Sequence, residues 1–361
     1  MKPKVFFIKN RLVDYTTPWF KEINKSIDLT LVYTQDKRNE KIDDLKIIYL
    51  THFKLFNKFS ISFSLIKKLL SEKYDILVSS DPHTFETIAS FLISKIRGKK
   101  YLLWNETFEW PRSFKSRFIS PFVNYVIRNS DATMAVGIKS KEYLIKRKAK
   151  KVFMTPYASL SFPAKNNVFN VPKNKQIVLY FGRLVRYKGL DYLIKAFAKL
   201  EKDRNDVFLL IGSNGGPFEQ DIKKLISNLE IKNYKFVNPK TDEEKGSLYK
   251  IADVFVLPST FRDYDADCWG LVLNEAMALE KPVISTDATG SAYDLIKEGI
   301  NGYMIQQKNS EELYQALNKI LSDRKLKERM GKESKRIIGK NFTYEKMAQG
   351  FVDAVDYTMS S

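Results

Sequence analysis

The stretch Ile177-Val-Leu-Tyr-Phe-Gly182-Arg-Leu-Val-Arg-Tyr-Lys188-Gly189-Leu-Asp-Tyr-Leu-Ile-Lys-Ala-Phe197 moves from an apolar run through a glycine turn into helical periodicity. Leu190, Leu193, Ile194, Phe197 and Leu200 fall on one helical face, with Lys195 and Lys199 off it. A short buried strand followed by an amphipathic helix is half of a βαβ unit. The same alternation runs in both directions from here. Residues 5–8, 29–33, 47–50, 76–79, 101–104 and 132–136 read as strands before it. Residues 207–211, 235–237, 254–257 and 282–285 read as strands after it. Helical stretches separate most of them, which predicts parallel sheets, because parallel strands need crossover connections.

At 361 residues the chain suits two domains, each with its own core. A composition of 44% hydrophobic and 29% charged residues is that of a globular protein and excludes a disordered or fibrous one. The segment 161–175 is rich in Asn, Pro and Lys and lacks periodicity, so it reads as the linker. The expected domains are 1–165 and 166–340, with a C-terminal helix over 341–361 that returns to the first. Each domain is expected to be α/β, doubly wound and Rossmann-like, and ligands of such sheets bind beyond the carboxyl ends of the strands.

Charge is unevenly placed. Residues 1–165 hold 31 Lys and Arg against 15 Asp and Glu, while the remainder holds 30 against 27. The excess of +16 in the first part points to an anionic partner. Phe53-Lys-Leu-Phe-Asn-Lys-Phe-Ser-Ile-Ser-Phe-Ser-Leu-Ile-Lys-Lys68 and Arg112-Ser-Phe-Lys-Ser-Arg-Phe-Ile-Ser-Pro-Phe122 interleave basic and aromatic residues. Such stretches suit the headgroup boundary of an anionic membrane, although each is also the pattern of a helix with a solvated basic back. No run has transmembrane length, so membrane contact is expected to be peripheral. Cys268 is the single cysteine, which excludes an intrachain disulfide and fits a reducing, cytoplasmic setting.

Two blocks carry the chemistry. In the first, Gly182 permits a tight turn, and Arg183 and Lys188 can reach an anion over the strand ends. The second is Asp267-Cys-Trp-Gly-Leu-Val-Leu-Asn-Glu275-Ala-Met-Ala, which follows the apolar run Ala252-Asp-Val-Phe-Val-Leu-Pro-Ser259. A helix beginning near Gly270 would aim its amides at a phosphate, leaving Glu275 for a ribose diol and Asp267 for sugar hydroxyls. Acids at a helix start are otherwise caps.

Together the blocks resemble the retaining glycosyltransferases of the family 4 type, glycosyl transferases group 1, with the GT-B fold. The likeness continues through Lys281-Pro-Val-Ile-Ser and Glu298-Gly-Ile-Asn-Gly302. It implies two Rossmann-like domains facing across a cleft and a nucleotide-sugar donor held by the second domain. Arg183 and Lys188 would bind its diphosphate, Glu275 its ribose, and the Gly270, Leu271 and Val272 amides its phosphates. Trp269 holds the family's aromatic position and would line the donor or pack. Asp267 stands where the family has Glu, which bears on the donor sugar. Asp265-Ala-Asp267 spells a D-x-D, a metal signature of a different glycosyltransferase fold; here no metal or other cofactor is expected.

The first domain lacks the family's glycine pair, having Lys9-Asn-Arg-Leu-Val-Asp-Tyr-Thr-Thr-Pro18 in that loop. Asn105 and Glu106 occupy by position the place of a family histidine and are the catalytic candidates there, with Glu106 able to accept a hydroxyl proton. His83 and Glu109 are acceptor-side candidates, although a loop histidine and a helix-start acid are equally their ordinary roles. The resulting expectation is a retaining transferase acting on a lipid-linked or saccharide acceptor in glycan, glycolipid or surface polysaccharide synthesis. An inverting transferase or sugar-nucleotide epimerase on the same fold is one alternative. A nucleic-acid-binding protein using the basic part, or a sugar-binding protein without turnover, is another. No nucleic-acid module accompanies the charge, so nucleic acid is not the expected partner.

Overall fold

Runs of β-branched and aromatic residues become two parallel sheets in the computed structural model. It describes residues 2–361 apart from 36–39, 52, 56–58, 110–113, 160–161, 166–167 and 263–265. The first sheet contains β1 (Lys4–Lys9), β2 (Asp28–Tyr33) and β3 (Lys46–Tyr49). An antiparallel hairpin, β4 (Phe53–Leu55) and β5 (Phe59–Ile61), stands apart from it. The sheet continues with β6 (Ile76–Ser80), β7 (Lys100–Asn105), β8 (Ala132–Ala135) and β9 (Val152–Met154), in the order β3-β2-β1-β6-β7-β8-β9. Helices α1 (Thr17–Asn24), α2 (Phe63–Ser71), α3 (Phe85–Ile96), α4 (Phe114–Asn129) and α5 (Ile138–Lys146) supply the crossovers.

The second sheet runs β12-β11-β10-β13-β14-β15. Its strands are β10 (Gln176–Phe181), β11 (Val207–Gly212), β12 (Tyr234–Val237), β13 (Val254–Leu257), β14 (Val283–Thr286) and β15 (Gly302–Ile305). The helices here are α6 (Leu190–Asp203), α7 (Glu219–Asn228), α8 (Asp242–Ile251), α9 (Val272–Ala278), α10 (Ala292–Leu295), α11 (Ser310–Ser322) and α12 (Arg324–Asn341). α13 (Tyr344–Ser360) closes the described chain. Leu193, Ile194, Phe197 and Leu200 of α6 are all 0% exposed. Each such side chain contributes about 1.5–3 kcal/mol by leaving water, which fixes α6 against the sheet with Gly182–Gly189 at its entry. Among the described residues no helix is long and apolar enough to cross a membrane.

The chain divides into one unit of Met1–Tyr157 with Thr343–Ser361 and another of Ala158–Phe342. The first boundary thus falls earlier than the expected 165/166. Residues past Tyr157 join the second unit through backbone and side chain alike: Lys165 N donates to Ser247 Oγ at 2.9 Å, and its Nζ pairs with Glu243 Oε1 at 2.8 Å. Gly246 lies so close to Pro163 that a Cβ would come within 2.1 Å of its carbonyl oxygen. The aperiodic segment is therefore largely second-unit surface. In the first unit α13 packs through Phe351, whose ring is 5.7 Å from Phe7 and 5.8 Å from Trp19. A Cβ at Gly350 would come within 1.8 Å of the Met154 carbonyl oxygen, so glycine sets the approach of α13 to β9.

Four short strands, β4, β5, β9 and β15, escape the sequence pattern. β15 begins at Gly302, where a Cβ would meet the Val283 carbonyl oxygen at 1.8 Å. A residue selected for close approach carries no strand signal.

Candidate functional site

In the second unit the winding reverses between β10 and β13, and the loops after these two strands meet at the carboxyl edge. Gly189 makes the meeting possible. Its φ is +66°, and a Cβ there would lie 1.9 Å from the Pro258 carbonyl oxygen. The preceding turn, Arg186–Lys188, is thereby pressed against the β13 loop, and Thr260 N donates to Tyr187 O at 2.7 Å. Lys188 Nζ then reaches Asp267 Oδ2 at 2.5 Å, with side-chain exposures of 12% and 9%. Ser259 Oγ donates to the same oxygen at 2.9 Å. The Asp267 backbone is fixed as well, its carbonyl accepting from Gly290 N at 2.9 Å.

This pairing modifies the expectation that Lys188 faces a diphosphate and Asp267 a sugar. They face each other, so an incoming anion competes with Asp267 for the ammonium. Such a buried pair holds its position because removing either charge strands the other. Arg183 is exposed by contrast, and its Nη2 donates to Tyr187 OH at 2.6 Å. Its carbonyl accepts from Tyr180 OH at 2.9 Å. Burial, with Asp267 nearby, pushes the Tyr180 hydroxyl pKa far up, which keeps it a donor. Gly182, the turn residue, donates its N–H to Gly212 O at 3.1 Å.

Gly270 has φ +72°, and a Cβ on it would lie 2.6 Å from Leu257 Cδ2. The helix behind it starts at Val272 with Leu271 as its cap, slightly later than Gly270. The Leu271 and Val272 amides therefore open the helix, where N–H groups lack intrahelical partners. Glu275 sits one turn in and accepts from Tyr249 OH at 2.6 Å through Oε2. Burial raises its pKa, partly countered by that bond. Trp269 corrects one expectation. It is 4% exposed, its Nε1 donates to Asn274 Oδ1 at 2.9 Å, and its ring lies 6.2 Å from Phe342. It is a packing residue. Asp265 lies outside the described residues.

Sequence reading missed Ser259, Tyr249 and Thr289 in this unit. Thr289 pairs in a parallel bridge with Asp267, and its Oγ1 is buried without a hydrogen-bond partner, as is Ser291 Oγ. Hydroxyls carry no distinguishing pattern in sequence; only the fold brings them to the acid.

The first unit has its own reversal, between β1 and β6. Lys9 ends β1, Asp81 follows β6 and Glu106 follows β7. Lys9 Nζ lies 4.1 Å from the Trp104 ring centroid. Burial lowers the Lys9 pKa against the opposing pull of Glu106 and Asp81. Burial likewise raises both acids: Lys9 lowers Asp81 while Glu86 raises it. Asp81 raises Glu106 further, and Lys9 and Tyr157 lower it. The three groups form a coupled set in which burial favours the neutral form of each. Tyr157 OH donates to Glu106 Oε1 at 2.8 Å. Tyr15, its ring 5.7 Å from that of Tyr157, is pushed up to about 12 by burial and then by Glu106.

Glu106 stands in this titratable cluster, whereas Asn105 does not. Asn105 is 0% exposed, and its Nδ2 donates to Thr107 O at 2.7 Å and Ser140 Oγ at 2.8 Å. It shapes the loop that presents Glu106. His83 is exposed on the loop after β6, and the desolvation it does undergo lowers its imidazole pKa. Glu109 is exposed. Lys9 and Asp81 were invisible in sequence because nothing there places 9, 81 and 106 on adjacent strands.

Residues 161–337 match the family of glycosyl transferases group 1. An uncharacterized glycosyltransferase of Methanocaldococcus jannaschii is 28% identical over 208 residues, 56% of this chain and 50% of that one. The poly(glycerol-phosphate) alpha-glucosyltransferase of Bacillus subtilis is 32% identical over 180 residues, 50% of this chain and 26% of that one. The first of these alignments covers about half of its relative and the second about a quarter. Among solved structures, Anabaena HepE in complex with UDP superposes with a TM-score of 0.76 at 18% identity, over 98% of this chain and 99% of that one. Two doubly wound sheets, the second-unit motifs and these likenesses agree: the fold is GT-B, and residues 161–337 match glycosyl transferases group 1.

Proposed function

We propose that the protein is a retaining glycosyltransferase that moves a sugar from a nucleoside-diphosphate sugar to a hydroxyl of a saccharide or lipid-linked acceptor. One observation carries this reading: Lys188, Asp267 and Ser259 converge at the second-unit switch point, beside exposed Arg183 and the Gly270 turn. A diphosphate settling there takes its charge compensation from Arg183, from Lys188 and from the Leu271 and Val272 amides, without a metal ion. Once Lys188 turns to the phosphate, Asp267 is released for the sugar hydroxyls. Glu275, with one oxygen held by Tyr249, offers the other to a ribose diol. HepE is described in complex with UDP and with UDP-glucose, which makes a uracil nucleotide the first donor to try.

In the reaction the bond from anomeric carbon to phosphate oxygen breaks, and a bond to the acceptor oxygen forms on the same face. The acceptor proton departs with the diphosphate. In the first unit, Glu106 and Asp81 accept hydrogen bonds from acceptor hydroxyls, with Lys9 holding the pair's charge in check. The excess of basic residues in 1–165, 31 against 15 acidic, supports a peripheral place on the cytoplasmic face of an anionic membrane, serving glycan or surface polysaccharide assembly.

A panel of nucleotide sugars tests the reading by thermal stabilisation, with Glu275→Ala and Arg183→Ala alongside, in buffer with EDTA. One donor should raise the midpoint of the wild type and fail to do so for both variants. If no donor acts, the donor site is wrongly placed. An inverted anomer in the product, read by NMR, would refute retention.

A further inference from the structure

The edge of the first sheet opposite Lys9, Asp81 and Glu106 carries a groove of about 960 Å³ across the amino-terminal ends of β1 and β6. Lys2, Lys4, Lys73, Arg97 and Lys99 line it, against the carboxylates of Asp75 and Asp356. Asp75 is already engaged, accepting from Lys4 N at 2.9 Å. Arg97 is held rigidly: its Nη1 donates to Leu69 O and Glu72 O at 2.7 Å each, and its guanidinium lies 4.9 Å from the Tyr74 ring centroid. The groove is therefore a positive surface with a fixed wall.

Large exposed apolar side chains line it or neighbour its wall in sequence. Ile96, next to Arg97, is 77% exposed, and Leu70, next to Leu69, is 50% exposed. Met359, which lines the groove, is 49% exposed. A soluble phosphate has no use for these side chains. The headgroup boundary of an anionic bilayer takes both kinds, cations at the phosphates and apolar groups below them.

Building on the peripheral-membrane reading above, the geometry points to this amino-terminal sheet edge as the face that docks on an anionic bilayer. The basic and aromatic stretches at 53–68 and 112–122, partly outside the described residues, are then not the principal contact. Docking by this edge also sets a distance. β1 runs five residue steps from Lys4 to Lys9, so its carboxyl end stands up to roughly 17 Å further from the bilayer than Lys4. The acceptor hydroxyl must reach that height, which suits a lipid-linked saccharide with several sugars already attached and not a bare headgroup.

The test is co-sedimentation of the full chain with phosphatidylcholine vesicles, with and without phosphatidylglycerol. Binding should require the anionic lipid and weaken with salt. Lys73→Gln with Lys99→Gln should weaken it about 25-fold, taking about fivefold for each lysine removed near the surface. Ile96→Ser should remove the binding that survives high salt, and the thermal midpoint of each variant should match the wild type. Lys146→Gln with Lys150→Gln, in a basic run elsewhere, should leave binding unchanged. If the protein binds anionic vesicles but only the 146/150 variant loses binding, the face is wrong and the membrane reading stands. If no vesicle binds, the membrane reading itself falls. Binding of inorganic polyphosphate in the absence of any vesicle binding would make the groove a soluble polyanion site and overturn the inference.

Discussion

The two sheets place a lysine at the same topological point, the carboxyl edge where winding reverses, and treat it differently. In the second unit Lys188 is satisfied by a direct contact with Asp267. In the first, Lys9 lies over Trp104 with Asp81 and Glu106 as charge partners, and burial moves all three toward neutrality. One arrangement is a closed pair that an anion must open. The other is a proton-sharing set suited to neutral hydroxyls. A common topology therefore fixes where ligands arrive, and local electrostatics decides what kind.

The largest expected effect breaks the closed pair. Lys188→Ala strands Asp267 in a buried place, which costs about 3–5 kcal/mol and should appear as a large drop in thermal midpoint. Transfer should fall about 10²–10³-fold through lost stabilisation of the leaving diphosphate. Adding Asp267→Ala should recover part of the stability, since the two losses are not additive; equal or greater loss in the double variant would argue against the pairing. On the other side of the comparison, Lys9→Met should lower acceptor-dependent transfer about 10²-fold while donor affinity, measured by calorimetry, stays constant. A parallel loss of donor affinity would merge two sites that the structure keeps in separate units.

A smaller effect concerns Glu275. Because burial raises its pKa, donor affinity should be weak on the acid side and strengthen as pH rises through that raised value. The stability contribution has the opposite sense. It is complete below the ordinary glutamate pKa of about 4.3 and is lost as pH rises through the folded value. Glu275→Gln should flatten both profiles and cost about tenfold in donor affinity at neutral pH. The smallest effect is Trp269→Phe, which gives up the bond to Asn274 for about 1 kcal/mol and should leave donor affinity untouched. A changed affinity would return Trp269 to the donor site.

Legibility followed contiguity. Gly182, Arg183 and Lys188 could be read because one strand, turn and helix carry them together, and the Asp267 to Glu275 block is equally local. That Lys188 and Asp267 bind each other could not be read, since it depends on Gly189 passing close to Pro258. The first-unit cluster was half legible. Glu106 stands out after a strand, whereas Lys9 and Asp81 join it only through sheet order, and Asp81 adopts a φ of +62° that no neighbouring residue announces. Asn105 was found at the right place with its amide turned inward. The unit boundary falls at 157/158 and not at the expected 165/166, because Phe162, Pro163 and Lys165 join the second unit through single ion-pair, ring and hydrogen-bond contacts that leave no periodicity in the sequence.

The partition of the chain carries a consequence for its synthesis. The second unit is one unbroken segment, Ala158–Phe342, whereas the first is assembled from both sides of it. As the polypeptide leaves the ribosome, the strands of the first sheet emerge early but lack the helix that covers Phe7 and Trp19. That helix contains Phe351 and is made only after the second unit. The interior segment can complete its core while the earlier one waits with aromatic surface uncovered. A nascent chain arrested before Tyr344 should therefore show a protease-resistant second unit beside a susceptible first unit, and a chaperone would be engaged by the segment translated ahead of the second unit.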